Sequence, residues 1–239
     1  MRVYHLLSLK YALDDMKHHR LKVARFEDLN DPFELLSVEL SDRETRRHFN
    51  AWRKNTMAQY GLLCFSRSWR SPVPWSHYAD KHRGICLGFD VPDRLLQEVT
   101  YLETRAPLAN LLQQGASSDQ PGPLFHTKFA HWRYEDEIRR IVRLDQAIEQ
   151  DGRQFWPFGT ELHLKEVIAG GRCDVAKAEL IRLLGDQVRE VTLTKARLAF
   201  TTFEVVRQQR GFAKSRHRRT TQSSGRRLAL LTPAADRGR

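Results

Sequence analysis

Cysteine is scarce in this chain, and the few that are present do not form close pairs. Cys64, Cys86 and Cys173 are widely spaced, and the first two lie within apolar runs. Free cysteine in such surroundings behaves as a small hydrophobic residue. A disulfide framework and a cysteine-rich zinc site are therefore not supported, and a reducing compartment, the cytoplasm, is expected.

Long apolar runs and phosphate-binding glycine loops are also missing. No stretch approaches the roughly 20 apolar residues that a membrane-spanning helix needs, so we expect no membrane association. The first residues lack the apolar core of a secretory leader. Gly170-Gly171 fits neither the Walker nor the dinucleotide fingerprint, and the histidines lack the close spacing of a zinc motif, so no metal site is predicted.

Acidic residues nearly disappear at the C-terminal end. Residues 207–239 contain ten lysines and arginines and a single acid, Asp236, so they carry nine of the eleven net positive charges. We therefore predict one near-neutral domain over residues 1–206 and a basic tail over residues 207–239. Such a tail can bind nucleic acid or an acidic partner. The alternative is a solvated terminus without a partner.

The patterns of apolar residues predict a single mixed α+β domain. Gly61–Phe65 and Gly84–Phe89 are short apolar runs typical of buried strands. Ser41-Asp42-Arg43-Glu44 has the form of a capping box and predicts a helix to about Ala58. We expect a helix over Phe125–Tyr134 and an alternating strand over Arg197–Val205.

The residues between the first two apolar runs are unusually rich in aromatic side chains. Loops that follow strands often display functional groups. This predicts a pocket, with a packed aromatic corner as the alternative. The residues expected to line the pocket are Phe65, Ser66, Trp75, His77 and Tyr78.

Two closely spaced glutamates, Glu135 and Glu137, form the main acidic cluster. Strand alternation would put both on one face, where neighbouring carboxylates acquire different pKa values and can divide acid–base work. The alternative is a surface on which they pair with arginines. Those arginines would be Arg133, Arg139 and Arg140.

Several motifs together resemble a bacterial family known as domain of unknown function 2971, over roughly residues 3–205. The motifs are Tyr4-His5, Asn30-Asp31-Pro32-Phe33-Glu34, Cys64-Phe65-Ser66, Trp75-Ser76-His77-Tyr78-Ala79, the strand from Gly84 to Asp90, and Trp132-x-Tyr134-Glu135-x-Glu137-x-Arg139. The family's name carries no activity.

The order of these motifs is more distantly similar to the ADP-ribosyltransferase fold, which implies a split sheet and NAD as substrate. By that resemblance, His5 would bind the adenosine-side ribose, and Phe65 and Tyr78 would sandwich the nicotinamide. Ser66 would support the catalytic glutamate, which is expected at Glu137 with Glu135 as the second candidate.

The expected function is therefore NAD-dependent ADP-ribosyl transfer or NAD hydrolysis, in a toxin or phage-defence effector that modifies nucleic acid or protein. One rival is a non-catalytic nucleic-acid-binding module that uses the basic tail. Another is a nuclease in which Glu135, Glu137 and a histidine hold Mg²⁺.

Overall fold

The apolar runs found in the sequence form the centre of a large sheet. The structure, a computed structural model, describes residues 1–108 and 122–212. Within them the helices are α1 (Leu9–His18), α2 (Arg43–Gln59), α3 (Pro72–Tyr78) and α4 (Lys177–Leu184). The strands are β1 (Arg2–Leu7), β2 (Arg20–Lys22), β3 (Tyr60–Ser66), β4 (Ile85–Asp90), β5 (Gln97–Glu98), β6 (Thr100–Leu102), β7 (Thr127–Phe129), β8 (Glu137–Arg143), β9 (Ile148–Gln150), β10 (Arg153–Pro157), β11 (His163–Ala169), β12 (Thr192–Leu198) and β13 (Val205–Arg207).

Eight of these strands form one sheet in the order β13-β12-β11-β4-β1-β3-β8-β5. All neighbours are antiparallel except β11 and β12. A three-stranded sheet, β2-β10-β9, and a two-stranded parallel pair, β6-β7, complete the described strands. The mixed α and β composition within a single domain is confirmed, with sheet predominating over helix.

Strand β1 is paired very differently on its two sides. Against β4 it forms a continuous ladder of six registered pairs, from Arg2–Asp90 to Leu7–Ile85. Against β3 only Tyr4 and Ser66 are in register. Further along, Leu62 of β3 bridges instead to Ala24. The two halves of the sheet therefore separate beyond Tyr4 and Ser66.

The main core lies on the face of the sheet covered by α1 and α4. It includes Val3 of β1, Phe65 of β3, Phe89 of β4 and Met16 of α1. The edge of this core needs glycine at position 84, because a Cβ there would lie 2.0 Å from the carbonyl oxygen of Leu7.

Local signals placed α2 well, whereas two other predicted elements were wrong. The Asp42 side chain caps α2 by accepting a hydrogen bond from the Thr45 amide at 2.6 Å. The helix therefore begins one residue later than in the predicted capping box, where Ser41 would be the cap and Glu44 its partner. The segment 125–134, predicted as helix, instead contains β7 between two short 3₁₀ turns, Pro123–His126 and Ala130–Glu135. The strand predicted over 197–205 is interrupted by a loop at residues 199–204.

The boundary between a domain and a basic tail stays a prediction. Described structure continues through β13 to residue 212, and most of the predicted tail, residues 213–239, lies outside the described residues. Within the described ranges, no helix has the length and apolar character needed to cross a membrane.

Candidate active site

A cavity of about 360 Å³ opens where β1 and β3 separate. Its walls come from five separate parts of the chain. The residues that line it are Tyr4, His5, Leu6, Lys22, Ala24, Asp28, Leu29, Asn30, Leu62, Cys64, Phe65, Ser66, His77, Tyr78, Lys128, Glu135 and Glu137. All six side chains predicted to be catalytic or NAD-binding are among these residues, whereas Trp75, also expected in the pocket, is fully buried elsewhere.

His5 spans the gap between the two separating strands. Its Nδ1 lies 2.7 Å from the carbonyl oxygen of Cys64. Because a carbonyl only accepts hydrogen bonds, Nδ1 carries the proton and Nε2 of the neutral ring is an acceptor. Burial lowers the pKa of His5, which favours this neutral form.

Ser66 and Glu137 meet at the point where the sheet divides. They are registered partners in the β3–β8 ladder, and Ser66 is also the residue that pairs with Tyr4 of β1. Directly opposed side chains of an antiparallel pair lie on the same face, about 5 Å apart at Cβ. The predicted neighbourhood of the serine and this glutamate thus follows from the strand register.

Phe65 does not present its ring as the resemblance implied. Side chains alternate along a strand, so its ring lies on the face opposite to Ser66. It is only 2% exposed and packs edge-on against Phe89, with 6.2 Å between ring centroids. Phe65 borders the cavity, but neither face of its ring is open to a ligand. The expected stacking of nicotinamide between Phe65 and Tyr78 is therefore not available.

Tyr78, at the end of α3, supplies both an aromatic ring and a hydroxyl group to the cavity. The hydroxyl donates a hydrogen bond to Oε1 of Glu135. Burial first, and then the negative charge of Glu135, raise the pKa of Tyr78, so this hydroxyl remains a donor. α3 therefore fixes the position of one carboxylate through its last residue.

Glu135 and Glu137 do lie together, but the geometry differs from the predicted strand alternation. Glu135 ends a 3₁₀ turn, Asp136 adopts a left-handed conformation with φ of 45°, and Glu137 begins β8. Lys128 of β7 binds both carboxylates, at 2.5 Å from Glu135 Oε2 and 3.0 Å from Glu137 Oε2. The ammonium group, and not a shared strand face, brings the two acids together.

Arg139 joins the other side of Glu137. Its Nε lies 2.8 Å from Glu137 Oε1 and its Nη2 lies 3.1 Å from Oε2. The same guanidinium binds both oxygens of Glu34, at 2.5 and 2.9 Å. Three carboxylates and two cations thus form one buried network, which carries a single excess negative charge when all are ionised.

The two cavity carboxylates have different acidities. Burial alone would raise the pKa of Glu137, but Arg139 and Lys128 together outweigh burial and lower it to about 2. For Glu135, burial dominates and raises the pKa despite the Lys128 ion pair. Glu137 is therefore a permanent negative charge, whereas Glu135 is the better proton acceptor of the two.

Sequence reasoning named Arg139 as a partner of the two glutamates but missed Lys128 and Glu34. Lys128 fell in a segment predicted as helix, where it would have had no particular partner. Glu34 lies 105 residues from Arg139 in sequence. The only available signal was their occurrence in the motifs of the resemblance, where Glu34 closes the Asn30–Glu34 turn and Arg139 follows Glu137.

The contacts also bear on the alternatives. Both glutamates are buried, so a salt-bridged surface is wrong for them. Of the three arginines, Arg139 does pair with Glu137, whereas Arg133 and Arg140 pair elsewhere, with Glu103 and Glu161. In the nuclease alternative, Mg²⁺ would have to displace the Lys128 ammonium from between the carboxylates. No cluster of three metal-ligating side chains occurs in the described ranges.

Comparisons with protein-family models, curated proteins and solved structures find no match to this chain.

Proposed function

We propose that the cavity binds NAD and cleaves its bond between ribose and nicotinamide, transferring ADP-ribose to an acceptor or to water. The observation that carries this proposal is the convergence of His5, Ser66, Tyr78 and Glu135 on one cavity beside a permanently ionised Glu137. The opening of the sheet between β1 and β3 supports the split-sheet ADP-ribosyltransferase architecture implied by the resemblance.

Binding of a positively charged nicotinamide ring suits the charge and shape of the cavity. With all three carboxylates ionised, the network leaves one excess negative charge near the ring of Tyr78, and aromatic faces attract cations. A volume of about 360 Å³ is sufficient for a small planar group with its sugar. The acceptor atom Nε2 of His5 is available to a ribose hydroxyl.

The two glutamates take different roles in the proposed reaction. When the glycosidic bond breaks, its electron pair leaves with nicotinamide, and positive charge develops on the ribose. Buried negative charge stabilises such a transition state. Glu135 carries only two hydrogen bonds, from Tyr78 and Lys128, so its remaining lone pairs can accept the proton of the attacking water or acceptor.

Glu137 is the positioning residue of the pair. Both of its oxygens already accept hydrogen bonds from Arg139 or Lys128. It holds Lys128, which in turn holds Glu135. This reverses the order expected from the resemblance, which placed the catalytic acid at Glu137, and it makes the distinction between the two residues testable.

The test is nicotinamide release from NAD by the purified full chain, measured chromatographically with and without protein and nucleic-acid acceptors. Glu135→Gln should slow release about 10²- to 10⁴-fold, the usual effect of losing an acid–base group. Glu161→Gln is the matched control, since it removes a carboxylate that pairs with an arginine outside the cavity.

The proposal fails if the wild-type chain neither releases nicotinamide nor binds NAD by calorimetry. It also fails if Glu135→Gln and Glu161→Gln lower turnover equally. If Glu137→Gln lost turnover and Glu135→Gln did not, Glu137 would be the proton acceptor and Glu135 the positioning residue.

A further inference from the structure

The loop between β12 and β13, residues 199–204, has a well-defined conformation. The Ala199 amide donates to the carbonyl oxygen of Glu204 at 2.8 Å, which closes the loop. The Val205 amide donates to the carbonyl oxygen of Arg70 at 2.8 Å, which fixes the loop to the segment before α3. The backbone of residues 199–204, here called the aromatic loop, is therefore anchored on the surface.

Two phenylalanine rings of the aromatic loop point into solvent. Phe200 is 89% exposed and Phe203 is 98% exposed, the highest values among the large apolar residues of the described chain. Single exposed apolar residues are common, but two fully exposed aromatic rings on one anchored loop indicate a contact surface. They border a groove of about 490 Å³ together with Pro72 and His82.

A guanidinium group lies over one of these rings. The Arg197 guanidinium lies 4.3 Å from the centroid of the Phe200 ring. The acid of the aromatic loop, Glu204, is neutralised by Arg70 at 2.8 Å. Within the described ranges, no carboxylate forms an ion pair with Arg197 or Arg207. The last strand, β13, then leads directly into the segment that carries nine net positive charges.

We propose that the aromatic loop and its groove bind single-stranded nucleic acid. Proteins of this class combine cations that follow the phosphates with exposed aromatic rings on which unpaired bases stack. The basic segment alone would bind any polyanion, including duplex. The two rings add a preference for unpaired bases, because bases within a duplex have no free faces.

This binding is independent of the NAD chemistry, although the two surfaces are close. Pro72, the first residue of α3, borders the groove, and Tyr78, its last residue, lines the cavity. Seven residues of helix span about 10 Å. A strand held on the aromatic loop would therefore lie beside the cavity, as an acceptor must.

The test uses fluorescence anisotropy of the full chain with a labelled oligothymidylate and with a labelled duplex, in the absence of NAD. Replacing both rings, Phe200→Ala with Phe203→Ala, should weaken binding of the single strand about 5- to 150-fold per stacked base. The dependence of affinity on salt should not change. Tyr11→Ala, which removes an exposed aromatic residue from α1, is the matched control and should bind as the wild type does.

A second variant separates charge from stacking. Arg197→Gln should reduce the slope of log affinity against log salt by about 0.7, the value for one phosphate contact on a single strand. The proposal is overturned if the double phenylalanine variant binds the single strand as tightly as wild type, or if single strand and duplex lose affinity equally. It is also overturned if the wild type is a dimer that this variant converts to a monomer, because a second copy would then be the partner.

Discussion

Two buried acids, Glu137 in the cavity and Asp15 on α1, differ sharply in their ionisation. Both are almost inaccessible, with 6% and 3% exposure. Arg139 and Lys128 overcome burial and lower the pKa of Glu137 to about 2. Burial, reinforced by Asp14, raises the pKa of Asp15 to about 7, and its Oδ2 has no hydrogen-bond partner in the described structure.

The contrast shows that a buried acid stays charged where its cations outweigh burial, which one ion pair does not achieve at Glu135. Near Asp15 the available cation, Arg20, lies over the Phe155 ring at 3.7 Å and pairs with Asp14 instead. In the cavity two cations are committed to the carboxylates. The fold therefore maintains a negative charge at the cavity and tolerates a neutral acid under α1.

The largest loss of stability is expected when Arg139 is removed from the buried network. Arg139→Met should lower the free energy of unfolding by about 3–5 kcal/mol, because Glu34 would lose its bidentate partner and Glu137 would keep only Lys128. Urea unfolding monitored by fluorescence measures this loss. Arg143→Met, which breaks an exposed pair with Asp145, should leave the midpoint almost unchanged. Equal losses of stability in the two variants would show that the buried network contributes no more than an exposed ion pair.

A smaller effect, with a defined pH dependence, is expected at Asp15. In the folded state Asp15 keeps its proton up to about pH 7, whereas in the unfolded chain it loses it near pH 4. The contribution of Asp15 is therefore fully present below pH 4 and is lost as pH rises through 7. Asp15→Asn should stabilise the protein by about 2–4 kcal/mol at pH 8 and change little at pH 4.

Urea unfolding at a series of pH values would test this prediction. Glu137 acts in the opposite direction, since a lowered pKa contributes stability above about pH 4.5 that is lost as pH falls towards 2. If Asp15→Asn gave the same change at pH 4 and pH 8, Asp15 would not be the group that titrates.

The smallest expected effect is at the hydroxyl of Tyr78. Tyr78→Phe keeps the ring and removes one hydrogen bond to Glu135, so it should cost about 1.5–3 kcal/mol of stability. It should also raise the pKa of Glu135 further and shift the acidic limb of any NAD-cleavage profile to higher pH. Tyr134→Phe is the control, because its ring lies nearby and its hydroxyl makes no bond to Glu135 among the described contacts. An unshifted profile would show that Tyr78 does not set the pKa of Glu135.

The parts of the fold predicted from sequence are those governed by neighbouring residues. The start of α2 and the apolar runs of β3 and β4 depend on residues only a few positions apart. Phe200 and Phe203 were misassigned because their alternation with polar residues continues that of β12, although the chain leaves the sheet at residue 199.

The candidate site was predicted in part. Residue patterns and the resemblance predicted His5, Ser66, Tyr78, Glu135 and Glu137, and the register of β3 against β8 brings Ser66 to Glu137. Lys128 was not predicted, and Glu34 occurred only in a motif of the resemblance, because the partners of both are set by tertiary packing. The Phe65 ring was misplaced for a simpler reason: on β3, neighbours of Ser66 must face the other way.

The single Tyr4–Ser66 rung has a mechanical consequence for the whole sheet. Spreading β1 from β4 would break a ladder of six registered pairs, whereas spreading β1 from β3 breaks only one. When the sheet opens locally, β1 should therefore separate from β3 before it separates from β4. The hydrogen bond from His5 to the Cys64 carbonyl opposes this opening. Among the amides of β1, hydrogen exchange should accordingly be faster for those that face β3 than for those that are bonded to β4.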